Sequence, residues 1–287
     1  MKEVKHRSRS MKHILESDFE FFHYRDSSAR QFDYKHHEVY EIYLLLSGRV
    51  DYLIEGRTYR LKPGDILLIN DNELHKPVIQ AGITYERIII WVKHDYLEKH
   101  SSENSRLATC FEITSGLKNN LLRPTPEQGE YIRKIFSRLE EALSTEEFGR
   151  RQLANAYLME LIVLLNRIYL KESKGLEAYH FEYNEKINKI IQYIEDHLEE
   201  ELPVVKLASA FYTSKYHLLH EFKRHTGYSI HQYILNKRLI MAKNLLKEGR
   251  QVMDVYSACG FGDYSNFIRA FKQKFGVTPG KYYKSLS

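Results

Sequence analysis

The C-terminal third of the chain contains one pattern of residues twice. Residues 204–233 read VVKLASAFYTSKYHLLHEFKRHTGYSIHQY, and residues 252–282 read VMDVYSACGFGDYSNFIRAFKQKFGVTPGKY. Leu207 aligns with Val255 at an offset of 48 residues, whereas the matched residues after this first segment align at an offset of 49. The extra residue therefore lies in the connection between two helices, where an insertion is tolerated best because the connection is a surface loop.

Each copy has the residues that begin and end a second helix. Ser214 and Asp263 carry short oxygen acceptors that suit an N-cap. Gly227 and Gly276 lie where a helix ends in a left-handed residue. Between these ends, each copy has two apolar residues four positions apart that form one buried stripe, namely Leu218 with Phe222 and Phe267 with Phe271. The pattern predicts two helix-turn-helix units, and such units place a helix in the major groove of DNA.

The segment between the two units predicts one long helix. Ser229 and Thr278 are placed to cap the helix that follows each unit, and Pro279 suits a first helical turn. Apolar residues recur at helical spacing over residues 230–248, which would span roughly 28 Å at 1.5 Å per residue. That length is close to the ~34 Å between successive major-groove faces. A further amphipathic helix is predicted over residues 187–198.

Charge is distributed unevenly along the chain. Residues 203–287 contain 14 Lys and Arg against 4 Asp and Glu, a net charge of +10, which leaves residues 1–202 with 29 against 34, a net charge of −5. This asymmetry indicates a polyanionic partner for the C-terminal part. The charge by itself is also explained by a solvated basic face on an ordinary helical domain. The duplicated motif favours double-stranded DNA as the partner.

The remaining composition sets the bounds of the interpretation. At 287 residues two domains are expected, and we place them at residues 1–170 and 184–287 with a linker at 171–183. Cys110 and Cys259 make neither a metal nor a disulfide pattern, which fits a reducing, cytoplasmic compartment. No apolar segment reaches the ~20 residues of a membrane span. We therefore expect no membrane partner.

The N-terminal domain is predicted to be a small β-barrel or jelly roll followed by helices. Five short segments rich in Ile, Leu, Tyr and Val alternate with turn residues, as antiparallel strands do. These segments are Glu41–Leu46, Arg49–Ile54, Thr58–Leu61, Asp65–Asn70 and Thr84–Val92. A barrel of this size can hold one small ligand. The overall class is α+β, with this barrel before an all-α C-terminal domain.

One group of residues in the barrel is a candidate ligand site. His37, Glu41 and Tyr43 are spaced so that strand alternation can point all three inward, and His75 follows a turn and can face them from a neighbouring strand. His37, Glu41 and Gly48 at the spacing H-x3-E-x6-G, with Gly64 to His75 at the spacing G-x5-N-x-N-x2-H, resemble the two-part cupin pattern, whose metal-bearing members supply two or three His and one carboxylate. Lys35 stands at the first of those ligand positions, and a cation there repels a metal. We therefore predict an organic ligand and no metal or other cofactor.

Two helices connect the barrel to the C-terminal domain. Apolar residues recur at helical spacing on both sides of a break at Ser144 and Thr145, and Pro124-Thr125-Pro126 begins the first helix. The apolar faces within residues 126–171 can pack on the barrel of the same chain. They can equally form a dimer interface, because helix-turn-helix proteins commonly bind paired sites.

The chain resembles a full-length AraC-type transcriptional regulator. Residues 260–272 read GFGDYSNFIRAFK and residues 276–279 read GVTP, close to the family signature GFxDxSxFxRxFK…GxTPxxY. The resemblance covers the barrel at about 36–78 and the duplicated unit at about 184–284. Two positions depart from it: Tyr212 replaces the usual turn glycine of the first unit, and Tyr256 replaces the usual small residue of the second.

The resemblance implies a mechanism and the residues that perform it. A small effector, such as a sugar or a related polar metabolite, would bind in the barrel at His37, Glu41, Tyr43 and His75. The DNA-binding domain of a homodimer would then engage a promoter and recruit or block RNA polymerase. By position in the recognition helices, the residues expected to contact bases are Tyr216, Leu219, His220, Tyr264, Ser265, Ile268 and Arg269. Those expected to contact phosphates are Lys215, Lys223, Lys272 and Lys274. Arg269 has the fork that reads guanine bidentately.

Two other classes of protein compete with this interpretation. A metal-dependent cupin enzyme fused to a DNA-binding domain is the first, and Lys35 and the incomplete ligand set argue against it. A basic architectural DNA binder is the second, and it leaves a barrel domain of this size unexplained. We therefore expect a regulator that is not an enzyme.

Overall fold

The computed structural model describes residues 17–26, 39–80, 82–112, 119–172 and 182–286. The barrel consists of two antiparallel sheets, one with strand order β1-β7-β2-β5-β8 and the other with order β6-β3-β4-β9. The strands are β1 (Phe19–Asp26), β2 (Val39–Ser47), β3 (Val50–Ile54), β4 (Arg57–Leu61), β5 (Ile66–Ile69), β6 (His75–Ile79), β7 (Tyr85–Lys93), β8 (Leu121–Leu122) and β9 (Glu182–Tyr183). The helices are α1 (His94–His100), α2 (Pro126–Ser144), α3 (Arg150–Glu172), α4 (Glu185–Asp196), α5 (Val204–Ala210), α6 (Lys215–Thr226), α7 (Ile230–Lys247), α8 (Val252–Ala258), α9 (Tyr264–Phe275) and α10 (Pro279–Lys284).

The predicted fold class is confirmed, and the structure adds strands that the sequence pattern did not indicate. All five predicted segments are strands, β2 to β5 and β7. The strand β6, from which His75 was expected to face the site, was not among the five segments because it contains Pro77, which signals a loop; as an edge strand of its sheet, β6 tolerates the missing N–H. The strand β1, with sequence FEFFHYRD, was missed because charged residues interrupt its aromatic pattern.

The strand β2 shows how the barrel separates an outer and an inner face. Tyr40, Ile42 and Leu44 belong to the core that lies under helices α2 and α3. Tyr43 and Leu45 belong to a second core between the two sheets. Successive side chains of a strand point to opposite faces. Tyr43, Leu45 and the positions of β2 two residues from them therefore face the barrel interior.

Helices α2 and α3 pack on the outer face of the first sheet. Thr125 caps α2 in a capping box with Gln128, which explains why the helix begins at Pro126. Buried residues of both helices, such as Phe136 and Leu161, share one core with the sheet. Packing on the chain's own barrel, one of the two predicted roles of residues 126–171, is therefore observed. α3 is also long and apolar enough to cross a membrane by length and composition, but its buried side faces this core.

The C-terminal helices begin and end where the sequence predicted. Ser214, Ser229, Asp263 and Thr278 accept a hydrogen bond from the backbone N–H three residues later, as N-caps do. Gly227 and Gly276 are left-handed at the ends of α6 and α9. α7 runs unbroken for 18 residues between the two units. Its apolar residues contribute to the core of each unit.

The two helix-turn-helix turns differ at one position. Gly260 has φ +70° in the second unit, and Tyr212 has φ +48° in the first. The turn therefore keeps its left-handed residue where the usual glycine is replaced. The Tyr256 ring meets Tyr264 edge-on at a centroid distance of 5.3 Å, so it packs against the start of the second recognition helix α9.

The predicted linker, residues 171–183, overlaps both neighbouring elements. It begins in the last two residues of α3 and ends in β9, which pairs with β4 of the barrel at Glu182 opposite Thr58. Residues 173–181 between these elements lie outside the described residues. The domain bounds drawn from the sequence remain a prediction.

We predict that Tyr212→Gly raises the free energy of unfolding by roughly 0.5–1 kcal/mol. The left-handed conformation costs a non-glycine residue roughly 1–2 kcal/mol, a cost that glycine avoids. Part of this gain in stability is lost again because glycine has the greater conformational entropy in the unfolded chain. No packing is lost, since Tyr212 is 95% exposed. Urea denaturation of both proteins measures the difference.

The control substitution is Gly260→Ala at the equivalent turn position. A Cβ at Gly260 would collide with the backbone oxygens of Leu198 and Glu199, so this variant should be destabilised. A loss of stability in Tyr212→Gly would contradict the assignment of strain to Tyr212.

Candidate DNA interface and effector site

The recognition helices α6 and α9 present most of the residues expected to contact bases. Tyr216 is 83% exposed and Tyr264 is 38% exposed, and both lie in the first turn of their helices. His220, Ser265 and Arg269 are also exposed.

Two of the expected base contacts are only partly accessible. Leu219 packs against the core of the first unit and Ile268 against that of the second. Both remain partly exposed. An apolar side chain that emerges partly from its own core can still meet a thymine methyl group, so both positions stay candidates for contact.

Polar neighbours orient the longer side chains of these helices. Arg269 donates from Nη2 to Asn266 Oδ1 at 2.9 Å, within one helical turn. On α6, the His220 Nδ1 and Glu221 Oε1 atoms are 3.1 Å apart, and Arg224 Nη2 donates to Glu221 Oε2 at 2.8 Å. Glu221 thus places an acidic group beside an expected base contact, a neighbour that the sequence pattern did not indicate.

The four candidate phosphate contacts fall into two groups. Lys215, Lys223 and Lys272 are exposed. Lys274 is only partly exposed, and its Nζ donates to Asn236 Oδ1 on α7 at 2.6 Å. Burial, followed by the charges of Lys243 and Lys237, holds the pKa of Lys274 well below its usual range. Lys274 therefore joins α9 to α7, and the other three point to solvent.

Glu41 is the centre of a polar cluster inside the barrel. Its Oε2 accepts a hydrogen bond from Trp91 Nε1 at 2.8 Å, and its Oε1 accepts one from Tyr52 OH at 3.4 Å. His75 Nε2 lies 3.9 Å from Glu41 Oε2. The structure thus brings Glu41, which is buried, together with His75, which is partly exposed, as predicted from the sequence. His37 and Lys35 lie outside the described residues.

A second polar layer lies on the same inner face. Tyr43 OH and Tyr85 OH are 2.7 Å apart, and the Tyr43 ring meets Tyr52 edge-on at 5.0 Å. The Arg87 guanidinium lies 4.2 Å from the centroid of the Tyr85 ring and bonds Asp26 Oδ2 at 2.5 Å. These aromatic and charged groups extend the polar interior beyond the residues predicted from the sequence.

Strand register explains why sequence reasoning missed Trp91 and Tyr85. Glu41 pairs with Trp91 across β2 and β7, and Tyr85 lies on the same face of β7 as Trp91 because six residues separate them. The two-residue period within β7 is visible in the sequence. Its pairing with β2, roughly fifty positions earlier, is not.

Burial controls the ionisation of the inner tyrosines. It raises the pKa of Tyr85 to about 12, against the lowering effect of Arg87. It also raises the pKa of Tyr59 to about 12, against the lowering effect of Arg57. Both phenols are therefore neutral near pH 7 and can donate hydrogen bonds. Within the described residues, no group of three or more His, Cys, Asp or Glu side chains is placed to hold a metal ion.

The chain is similar to known proteins over both of its parts. The family AraC-like ligand binding domain matches residues 20–162, and the family Helix-turn-helix domain matches residues 207–285. The HTH-type transcriptional activator RhaS of Enterobacter sp. (strain 638) is 26% identical over 258 residues, covering 85% of this chain and 84% of that protein. RhaS of Citrobacter koseri is 24% identical, with the same coverage.

Solved structures with lower similarity include ToxT from Vibrio cholerae O395, which is 15% identical. The match covers 94% of this chain and 98% of that one, with a TM-score of 0.39. The two family matches fall on the barrel and on the duplicated unit, and the RhaS relatives match across both. The chain belongs to the AraC family of transcriptional regulators, with a ligand-binding barrel and a helix-turn-helix DNA-binding domain.

Proposed function

We propose that this regulator reads two successive major grooves of a promoter with α6 and α9 and responds to a small polar organic molecule in its barrel. It acts in the cytoplasm as a homodimer that recruits or blocks RNA polymerase, and it has no enzymatic activity. The observation that carries the proposal is the pair of capped recognition helices with exposed tips, joined by α7. At about 1.5 Å per residue, α7 is roughly 27 Å long, near the repeat of the duplex.

The exposed residues of the recognition helices divide into base and phosphate contacts. Arg269 is the best reader of sequence, because its guanidinium fork matches two guanine acceptors. Tyr216, Leu219 and His220 in the first unit, and Tyr264, Ser265 and Ile268 in the second, supply further base contacts. Lys215, Lys223 and Lys272 position the protein on phosphates, and Lys274 joins them only if it leaves Asn236.

We predict that each subunit protects two major-groove faces of a bound duplex about 10 bp apart. The physical reason is the spacing that α7 sets between α6 and α9. Chemical footprinting on a duplex selected by the protein from a random library measures the pattern. Protection of a single face per subunit contradicts the proposed two-groove contact.

We predict that Arg269→Ala costs about 1–3 kcal/mol of binding free energy at the best site and relaxes base preference at one position. Lys272→Ala is the matched comparison on the same helix: it should weaken all sequences nearly equally and reduce the salt slope by about one. Binding isotherms at several salt concentrations on matched duplexes separate these effects. If both variants lose affinity equally and for every sequence, Arg269 contacts a phosphate and not a base.

The barrel interior suits a ligand with several hydroxyl groups. Glu41 and His75 carry polar acceptors and donors, and the aromatic side chains of Trp91 and Tyr52 lie beside them, both hydrogen-bonded to Glu41. A sugar or a related polar metabolite combines those two requirements, and His37 and Tyr43 complete the proposed contacts.

We predict that such a ligand raises the melting temperature of the full chain and that Glu41→Ala or His75→Ala abolishes the shift. At a hundredfold excess over Kd, binding should stabilise the fold by about 2.7 kcal/mol. A thermal-shift screen of sugars and related metabolites makes the measurement. Glu130→Ala, on the exposed face of α2, is the control that should keep the shift.

The metal-dependent cupin enzyme is the alternative that the same experiment tests. Elemental analysis of the purified chain and a melting scan in EDTA accompany the screen. A stoichiometric metal, with a large loss of melting temperature on chelation, contradicts the organic-effector proposal and favours the enzyme.

The outer side of α2 and α3 is the surface we assign to the homodimer. Apolar and polar residues line an open groove there, namely Tyr131, Ala156, Met159, Glu160, Val163, Leu164 and Arg167. Leu153 and Tyr131 are about half exposed on these helices. A second copy of the same two helices offers an equal apolar face, which is the arrangement that a two-fold dimer requires.

A further inference from the structure

The barrel holds the helix α7 through two clusters of side chains. The first joins Asp71 to Lys243, and the second joins Glu55 to Lys237 and Tyr233. Lys237, Lys243 and Tyr233 all lie on α7, and both acidic residues lie on barrel loops. We call these two clusters together the latch.

The pair of Asp71 and Lys243 is buried completely. The residues are 5% and 1% exposed, and Lys243 Nζ donates to Asp71 Oδ2 at 2.6 Å. His94 Nε2 approaches the other carboxylate oxygen of Asp71 at 3.4 Å. Burial by itself would raise the pKa of Asp71, but the contact with His94 and the charge of Lys243 outweigh it and hold that pKa well below its usual range. The carboxylate therefore stays charged at neutral pH.

The second cluster is built on a strained turn. Glu55 has φ +47° between β3 and β4, and its Oε1 accepts hydrogen bonds from Lys237 Nζ at 2.9 Å and from the Leu74 backbone N–H at 2.7 Å. Tyr233 OH donates to the other Glu55 oxygen. Lys237 also pairs with Glu195 of α4 at 2.7 Å. One barrel carboxylate is thus held by two α7 side chains.

The same barrel loop carries a residue of the effector site. Asp71 and Leu74 lie within four residues of His75, whose side chain faces Glu41 at 3.9 Å. The backbone oxygen of His75 accepts a hydrogen bond from Tyr228 OH of the first helix-turn-helix unit at 3.0 Å. Gly227, beside Tyr228, approaches Lys76 and Leu53 of the barrel so closely that an added Cβ would lie 3.2–3.3 Å from their side chains.

We propose that the latch is an autoinhibitory contact: it holds α7 and the first unit against the barrel, and it opens when the DNA-binding domain engages DNA. This proposal rests on the function proposed above and names the regulation of the same effector site. A ligand that moves His75 also moves the short loop that carries Asp71.

Charge competition is the first reason that DNA binding and the closed latch oppose each other. Residues 203–287 carry a net charge of +10, and the latch commits two of those cations to carboxylates of a part of the chain whose net charge is −5. Opening the latch returns Lys243 to the basic surface that attracts phosphates, while Lys237 keeps its ion pair with Glu195 of α4.

The second reason is mechanical. Reading two grooves requires α6 and α9, which α7 holds as one body, to dock together on one duplex, and the barrel is attached to that body at Gly227 and Tyr228 and at three side chains of α7. An effector and DNA influence each other only if some contact differs between the bound and unbound states. The latch is the contact between the proposed effector site and the linker helix that can supply this difference.

Amine acetylation read by mass spectrometry tests the proposal on the full chain, with a duplex that the wild-type chain selects from a random library. In the free protein, Lys243 should react at least fivefold more slowly than the exposed Lys272. On the saturated duplex, Lys243 should react faster and Lys272 more slowly. The proposal is overturned if, on the saturated duplex, Lys272 becomes protected from acetylation and Lys243 stays protected.

Asp71→Asn supplies the affinity test. It should expose Lys243 to acetylation without DNA and tighten binding to the selected duplex at least fivefold, the lower end of the usual coupling between two sites. Glu98→Gln is the control, because it breaks an exposed ion pair between α1 and Arg106, away from the assigned dimer surface, and should change neither quantity. Unchanged or weaker duplex binding in Asp71→Asn overturns the proposal.

Two further outcomes are distinguished by the same measurements. Removal of one partner from a buried ion pair can prevent folding. In that case Glu55→Gln, which leaves the Asp71–Lys243 pair intact and weakens the second cluster, must show a gain in affinity, and its absence overturns the proposal. If no duplex protects Lys272, the proposed DNA contact is wrong and the autoinhibitory role falls with it. The Lys243 reactivity of Asp71→Asn then still reports whether the two domains are held together by this pair.

Discussion

The helix α7 is part of three packed interfaces at once, and the relative position of the two recognition helices depends on it. Its N-terminal half supplies Ile230 and Tyr233 to the core of the first helix-turn-helix unit. Its C-terminal half supplies Leu239 and Leu246 to the core of the second. Its remaining face meets the barrel through charged side chains. A helix with so many buried faces cannot rotate to improve one interface without breaking another, so it fixes α6 and α9 relative to each other.

The chemistry of the third face differs from that of the other two. Apolar cores do not discriminate strongly between alternative packings of similar volume, whereas a buried ion pair requires its partner in one geometry. The Lys243–Asp71 pair is therefore a geometric constraint on how the two domains meet. Breaking such a pair on one side leaves an uncompensated charge, which makes the interface suited to two discrete states.

The parts of the fold that could be predicted are those with local signals. The caps at Ser214 and Asp263, the left-handed glycines and the four-residue apolar spacing lie within one helix each, so a single sequence carries them. The inward-facing Glu41 and Tyr43 followed from alternation within one strand. Trp91 and Tyr85 did not, because their place beside Glu41 depends on the register between β2 and β7.

The basic composition shows that a count of charged residues is also a limited predictor of electrostatic interactions. A count of Lys and Arg correctly indicated a polyanionic partner for the C-terminal domain, but a count treats every cation as available to that partner. Lys237 and Lys243 are paired with barrel carboxylates, and Lys274 bonds Asn236 with a pKa held below its usual range. The acidic barrel is thus itself a competitor for the charge that DNA requires. Under the proposed latch, the affinity of the full chain for DNA depends on which of these partners holds α7, so the count of basic residues alone does not set it.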